Sequence, residues 1–484
     1  MEMMTYTLGI DVGSSSVKVS ALDIKSGRCA ASCTAPKSEM PIKALQGGWA
    51  EQDPLMWWRY VLEGIETLGR QIDLKSVRAV GISYQMHGLV CLDARGLPLR
   101  DAIIWCDSRA VPYGAEAFKT LGADYCLGRL CGSPGNFTAS KLAWVKDNEP
   151  EIYSKISKVM LPGDFIAHLL TGGIKTTEGG LSEGALWDFK LGRRADEVLD
   201  AFGISASLIP ETVPAIGIQG RLSAEASRIC GLEEGIPVAY RAGDQPNNAF
   251  SLGVLAPGEV AATGGTSGVV YGVTSTPCAD QFSRVNTFLH VNSLPAVLLC
   301  INGTGILNSW MHHNAAPELS YDQMNTLAAE APAGSDGLLV YPFGNGAERV
   351  LENTCPGAGI SGLDLNRHGR AHLLRACQEG IAFAFKYGME IMEGLGLGLR
   401  RIKAGKANLF LSPVFRAALA SASGATIELY DTDGALGAAR GAALGAGLYQ
   451  SAAEAFSTME CLGTTEPSLD LEQAYSNWKS NLKR

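Results

Sequence analysis

The sequence predicts an α/β protein of two large domains built on one plan. Three observations carry that expectation. At 484 residues the chain exceeds what one hydrophobic core usually serves, so two domains are the default. Strand-like apolar runs alternate with helix-length segments in both halves. Finally, GIDVGSSSVKVSALD at residues 9–23 and AATGGTSGVVYGVT at 261–274 echo each other about half a chain apart. Each reads as an apolar strand, a tight Gly/Ser/Thr turn and a second strand of alternating character, with Gly13-Ser14-Ser15 matching Gly265-Thr266-Ser267. Glycine admits close backbone approach, successive N–H groups make an anion-binding concavity, and the hydroxyls add donors. A pair of such turns fits one polyphosphate ligand; the plain alternative is two ordinary hairpins.

Taken in order, residues 5–35 read as a three-stranded meander, with strands near 6–12 and 16–23 and a turn at Lys25-Ser26-Gly27-Arg28. Asp53-Pro54 starts a helix, with Asp as N-cap and Pro in the first turn. Trp58, Leu62, Ile65 and Leu68 are expected on its inner face. A strand at 77–83 runs into GISYQMHGLV, a further strand and the turn Asp93-Ala94-Arg95-Gly96. Residues 110–230 read as largely helical. A strand at 236–242 ends in Gly243-Asp244-Gln245 and a helix follows it. The domain boundary is expected between 247 and 258, giving domains of 1–250 and 251–484. The second half repeats the mix. A strand at 297–301 precedes a helix after Gly305, and a long Gly/Pro-rich loop spans 342–362. A helix follows at 368–394, then strands near 402 and 427–430. The Ala/Gly-rich segment 434–447 has small residues on every face, which suits close packing.

Composition excludes several classes. Hydrophobic residues make up 46% and charged residues 18%, as in a well-packed globular protein. The net charge of −9 and the lack of a basic cluster argue against a nucleic-acid partner. The 12 cysteines show no Cys-x-x-Cys and no Cys/His cluster at zinc spacing, so they read as small core residues in a reducing compartment. His312-His313 is an isolated pair without metal spacing. No apolar run approaches membrane-spanning length and no leader pattern opens the chain. No membrane association and a cytoplasmic location are the expectation, and a homodimer is compatible with the sequence.

Phosphoryl transfer needs a polyphosphate, a positioned nucleophile and little covalent help. Asp11 ends the first strand beside the first Gly/Ser turn, where a carboxylate can hold Mg²⁺ directly or through water; a turn residue is the plain alternative. Asp244 also ends a strand, where it can take the proton of an attacking hydroxyl; the alternative is a helix N-cap. Gln85-Met86-His87-Gly88 inserts polar groups directly after a buried strand. Gln85 and His87 can hydrogen-bond a polyol, although a lone histidine there is more often structural. Trp105-Cys106-Asp107-Ser108-Arg109 adds an aromatic wall and charged groups at another strand end, again compatible with a sugar.

With these residues in view, the chain resembles the FGGY family of carbohydrate kinases, and within it the xylulokinases. The resemblance runs from Gly9 to about Tyr449. It is carried by GIDVGSSSVKV, GWAEQDPLMWW, GISYQMHGLV, IIWCDSR, SKLAWVKDN and LPGDFIAHLLTG. In the second half AGDQPNNAFSLGV, ATGGTSG, GISGLDLNRHGRAHLLRACQEG and DGALGAARGAALGAG carry it. The resemblance implies two actin-like (ribonuclease-H-like) domains with the active site in the cleft, and ATP, Mg²⁺ and a small-molecule sugar as ligands. It implies Asp244 as catalytic base, Asp11 at Mg²⁺ and phosphate, and Gln85, Met86 and His87 at the sugar with Trp105 and Asp107. It also implies Gly13, Ser14, Ser15, Ser16, Gly265, Thr266, Ser267 and Gly305 at the nucleotide.

Three departures stand out. Asp244 lies in Gly-Asp-Gln-Pro-Asn-Asn rather than the usual xylulokinase Gly-Gly-Gly-Asp-Asn. Ser14 replaces the first-loop threonine and keeps its hydroxyl. The family's Gly-Gly-Gly-Ala adenosine loop reads AGKANLFLSPVFRAALAS, retaining Gly405, with Lys406 and Asn408 able to reach phosphate or adenine or to lie on the surface. Cys106 also stands where the family has Asn. The expected reaction is ATP-dependent phosphorylation of a terminal ketose hydroxyl, D-xylulose first. The alternatives are another ketose or polyol (L-xylulose, ribulose, fuculose, gluconate, glycerol), a non-catalytic actin-like ATPase, and a kinase that has lost turnover.

Overall fold

The computed structural model describes residues 4–482. The chain divides into two compact units. The first runs through Gly253 and adds Phe288–Pro295 and Thr432–Met459. The second comprises Val254–Thr287, Ala296–Asp431 and the segment from Glu460 onward.

In the first unit β1 (Tyr6–Val12), β2 (Val17–Asp23), β3 (Cys29–Ala35), β4 (Val77–Tyr84), β5 (Ile216–Arg221) and β6 (Pro237–Gly243) make one sheet, in the order β5-β6-β4-β1-β2-β3. β1 pairs antiparallel with β2 but parallel with β4, and β4 is parallel to β6. The second unit repeats the plan with β7 (Val260–Gly264), β8 (Gly268–Val273), β9 (Asn286–Leu289), β10 (Pro295–Ile301), β11 (Arg401–Gly405), β12 (Thr426–Tyr430) and β13 (Cys461–Thr465), ordered β9-β10-β8-β7-β11-β12-β13. Here too an antiparallel hairpin, β7–β8, continues into parallel strands, β11 then β12, and an antiparallel edge. The echo between the two Gly/Ser/Thr turns is thus an echo of whole sheets.

The parallel strands are apolar on both faces and need cover on both. One face of the first sheet receives α1 (Pro54–Gly69), whose Asp53 cap accepts from the Leu55 N–H. Its buried stripe is Trp57, Val61, Ile65 and Leu68, one residue out of phase with the expected Trp58 and Leu62, which are only partly buried. The other face receives α4, the Ala/Gly-rich helix Gly434–Gly445. A Cβ on Gly9 or Gly81 would run into the carbonyl oxygens of Ala435 or Ala438. Small residues on both surfaces bring helix and sheet backbones into contact, which explains this composition.

Two further segments differ from expectation. Residues 110–230 contain helices but also short strands, and β5 completes the first sheet. The Gly/Pro-rich stretch 342–362 is not one open loop: Leu339–Phe343 pairs antiparallel with Gly357–Ser361. The C-terminal helix Glu472–Asn481 adds an element not expected from the sequence; its Trp478 is fully buried and donates to the Val340 carbonyl at 2.9 Å. The second core gathers around this tryptophan and the long helix α3 (Arg370–Gly394), seated on the second sheet. No helix among the described residues is long and apolar enough to cross a membrane.

Candidate active site

Sheet register builds the site in the first unit. Asp11 of β1 lies opposite Ser83 of β4, and Ser83 lies opposite Ala242 of β6. Asp244 follows two residues later as the first residue of α2 (Asp244–Ser251), with Gly243 as the N-cap. Asp11 and Asp244 therefore sit at the same end of two parallel strands that flank β4, where side chains and helix N-termini of α/β sheets converge. Both are half-buried. Burial pushes the Asp244 carboxyl up to about 7, the Asp11 charge adds to this, and the Gln245 N–H and side chain oppose it. Asp11 is raised to about 6, first by burial; the Ser83 hydroxyl and Lys18 oppose the rise and Asp433 adds to it. The N-terminus of α4 closes on the same carboxylate, since a Cβ on Gly434 would strike Asp11 Oδ2.

The first Gly/Ser turn sits at the end of β1. Its Gly13 N–H donates to the Ser16 carbonyl at 3.0 Å, and Ser15 is exposed at the tip. Gln85 is buried and tied to this turn: its N–H donates to Val12 O at 2.8 Å, and its side-chain amide donates to Gln52 Oε1 at 3.3 Å. The Trp105 indole reaches Ser14 Oγ at 3.3 Å and is half exposed. Gln85, Trp105 and the turn thus form one group. Asp107 stands apart from it. It is fully buried, and its oxygens accept from the Arg109 guanidinium and the Ala50 and Arg109 N–H groups. Arg109 in turn lies 3.8 Å from the Trp49 ring centroid.

Met86 is buried and His87 half-buried. His87 takes the left-handed φ of 60°, a conformation a non-glycine residue keeps only when its surroundings enforce it. Here Lys141 Nζ donates to its carbonyl at 2.7 Å. The ring lies 4.6 Å from Phe137 and 5.3 Å from Phe288. Its Nδ1 is 2.8 Å from the Glu183 carbonyl. A carbonyl only accepts, so Nδ1 carries a proton, and in the neutral form of the ring Nε2 would be the acceptor.

Lys141 and Glu183 were not among the residues expected from sequence. Each is a lone charge in an otherwise small or apolar stretch, ASKLAWV and GLSEGAL, and that pattern was the available signal. Burial lowers the Lys141 amine to about 7, with Asp107 opposing. Burial also holds the Glu183 carboxyl well above the usual range, with the charges of Asp244 and Asp164 adding to it.

The second unit gathers the remaining residues at the end of its own sheet. The Gly305 N–H donates to the Gly265 carbonyl at 2.9 Å, and Thr304 Oγ1 donates to the carbonyls of Gly265 and Thr266. Ser267 Oγ bonds Asn302 at 3.1 Å, and Thr266 is exposed. Gly405 ends β11, and the Lys406 N–H donates to Tyr430 O at 2.8 Å. Lys406 and Asn408 are exposed, and Asn408 has φ 51°. A Cβ on Gly265 would lie 3.8 Å from Asn408 Nδ2, so the altered loop borders the second turn. Among the described residues no three His, Cys, Asp or Glu side chains cluster as a metal cage. Mg²⁺ needs none, being held by one or two carboxylates and phosphate oxygens. The half-buried Asp11 carboxylate suits it.

Comparison with known proteins agrees with this plan. The models of the N-terminal and C-terminal domains of the FGGY family of carbohydrate kinases match residues 6–251 and 260–448. The xylulose kinase of Escherichia coli is 30% identical over 451 residues, 90% of this chain and 88% of that protein. The structure of a xylulose kinase from Rhodospirillum rubrum superposes with a TM-score of 0.88 at 25% identity, covering 99% of this chain and 98% of that one. A gluconate kinase from Lactobacillus acidophilus shares the fold at 22% identity, with a TM-score of 0.88 over 99% and 96%. The two sheets are those of actin-like domains, and the chain belongs to the FGGY family of carbohydrate kinases.

Proposed function

We propose that the protein phosphorylates a terminal hydroxyl of a ketose, D-xylulose first, with ATP as donor. The observation that carries this reading is that Asp244, raised to about 7, and Asp11 share one end of the first sheet, close enough for the Asp11 charge to act on Asp244. A base of that pKa is ionised in useful proportion at neutral pH and still basic enough to take a hydroxyl proton. In the reaction the sugar oxygen forms a bond to the γ-phosphorus, the bond from phosphorus to the β–γ bridging oxygen breaks, and ADP leaves. The hydroxyl proton passes to an Asp244 oxygen. The Gln85–His87 segment holds the sugar, His87 accepting from a hydroxyl through Nε2 while Met86 gives an apolar wall. Trp105 covers the sugar beside Ser14.

Asp11 would hold Mg²⁺, whose charge offsets that developing on the phosphate oxygens. The turns Gly13–Ser16 and Gly265–Ser267 supply N–H groups and hydroxyls to phosphates. Gly305, Gly405, Lys406 and Asn408 belong to the nucleotide. Support for xylulose over other sugars comes from Met86-His87 and from the similarity to xylulose kinases. The test is ADP release, coupled to a spectrophotometric readout, on a panel of ketoses, polyols and sugar acids. D-xylulose is expected to give the highest kcat/KM. ADP release unaffected by every sugar would defeat the reading.

A further inference from the structure

Glu183 ends the short helix Glu178–Glu183 and is 1% exposed. It touches both loops that the proposed chemistry uses. Its backbone carbonyl holds the His87 ring, and a Cβ on Gly243, the residue before Asp244, would stand 2.6 Å from its Oε2 and against Met86. The Tyr84 hydroxyl and the His87 N–H favour its ionised form, but burial and the Asp244 and Asp164 charges outweigh them. One carboxyl oxygen, Oε1, is buried and accepts no well-formed hydrogen bond among the described residues, and the Tyr84 hydroxyl beside the carboxyl makes none either. Glu183 also lines a cavity with Met86, Gly243 and Phe288, of about 10 Å³. That is room for one water or one hydroxyl, not for a sugar ring.

A buried oxygen left without a partner is costly, and a ligand that supplies one is favoured. We propose that Glu183 is a specificity-determining residue of the sugar site, receiving one hydroxyl of a neutral ketose or polyol and rejecting sugar acids. This rests on the kinase reading above. A neutral carboxyl can donate one hydrogen bond and accept others, which matches a hydroxyl. A substrate carboxylate would instead face the Asp244 charge, and the nearby cations are committed: Arg241 pairs with Asp164 at 2.8 Å, and Lys141 donates to two carbonyls.

The test compares Glu183→Ala and Glu183→Gln with the wild type, by ADP release on D-xylulose, other neutral ketoses and D-gluconate, and by sugar-induced melting shifts without nucleotide. Glu183→Ala is expected to raise KM for neutral ketoses about ten-fold or more, with a smaller change in kcat. Its sugar-induced melting shift should shrink, and its preference for ketose over gluconate should fall. Glu183→Gln, which keeps a donor and an acceptor, should stay within about three-fold of wild type. On the wild type alone, one member of a set of monodeoxy ketoses should show the same loss, independently of how the variants fold. A lower melting temperature of the free Ala variant with unchanged KM for every sugar, or equal KM across the deoxy series, would overturn the proposal and leave the cavity to a resident water. Activity with unaffected KM removes Glu183 alone; a wild type inactive on the whole panel removes the kinase reading with it.

Discussion

Lys141 donates to the carbonyl oxygen of His87 at 2.7 Å and to that of Ile104 at 3.1 Å. One buried amine thus ties the loop after β4 to the segment leading into Trp105, two places where the sugar is proposed to bind. It also holds the left-handed backbone of His87 in place.

Lys141→Ala should therefore act on substrate more than on chemistry. Two buried carbonyls lose their donor, at a cost of about 1–3 kcal/mol each, so the melting temperature should fall. His87 should relax toward an ordinary φ, and KM for the ketose should rise several-fold while kcat changes less. Steady-state kinetics and thermal melts on one preparation check both. A melting change with unaltered KM would show that the tie is only structural.

Asp244→Asn should separate stability from activity. Asn cannot take the hydroxyl proton, and losing a general base costs about 10²–10⁴ in rate. In the wild type, kcat/KM should fall as pH drops below about 7, where Asp244 becomes protonated. Stability runs the other way. The folded pKa lies above the unfolded one, so the folded state binds more protons between them. The favourable contribution is full below about pH 4 and is lost as pH rises through about 7. The Asn variant should thus be the more stable protein at pH 8, with the gap closing toward pH 4. Urea melts at both pH values measure this. A wild type as stable as the variant at pH 8 would contradict the burial argument, and a variant with half the wild-type kcat would remove Asp244 from the base role.

Much of this was legible because strand ends and tight turns are local. Gly13–Ser16, Gly265–Ser267, Asp11 and Asp244 each follow an apolar run, and period and punctuation place them without tertiary knowledge. Asp107 shows the limit. Its motif reads as a site residue, but its partners Ala50 and Arg109 come together only when Gly48–Gln52 packs beside it. Trp58 and Leu62 show another: the helical period gave a face, yet one residue of rotation decided which side met the sheet. Glu183 and Lys141 show a third: a lone charge in an apolar stretch signals burial, but what it meets is set only when its neighbours fold around it.

Gly9→Ala should test the packing of α4 on the first sheet. The added methyl meets the Ala435 carbonyl, which is backbone and cannot rotate aside. Overpacking of this kind costs about 1–3 kcal/mol. Because the α4 N-terminus also closes on Asp11, the displaced helix should lower activity as well. Gly463→Ala, where a Cβ meets nothing within 4 Å, serves as the control. Equal melting temperatures for the two variants would mean that the helix is free to shift.

His87→Ala decides whether the Met86-His87 pair reads the sugar. The ring is held by the Glu183 carbonyl on one nitrogen and packs, tilted, against Phe137 and Phe288, which also touch each other. That hold puts a proton on Nδ1, and Nε2 is the nitrogen proposed to accept from a substrate hydroxyl. Losing one such bond to a buried hydroxyl costs on the order of 1–3 kcal/mol, and KM for D-xylulose should rise about ten-fold. Binding of ATP without sugar should stay near the wild-type value, because His87 belongs to none of the turns proposed to hold the nucleotide. His87→Asn keeps an acceptor and suits a left-handed φ better than Ala. It should recover part of the affinity if hydrogen bonding matters, and only stability if the ring is merely packing. Melting temperature and KM for two ketoses, measured on all three proteins, separate these cases. An unchanged ketose KM in a folded His87→Ala protein would take the histidine out of the sugar site and, with it, the motif's support for xylulose.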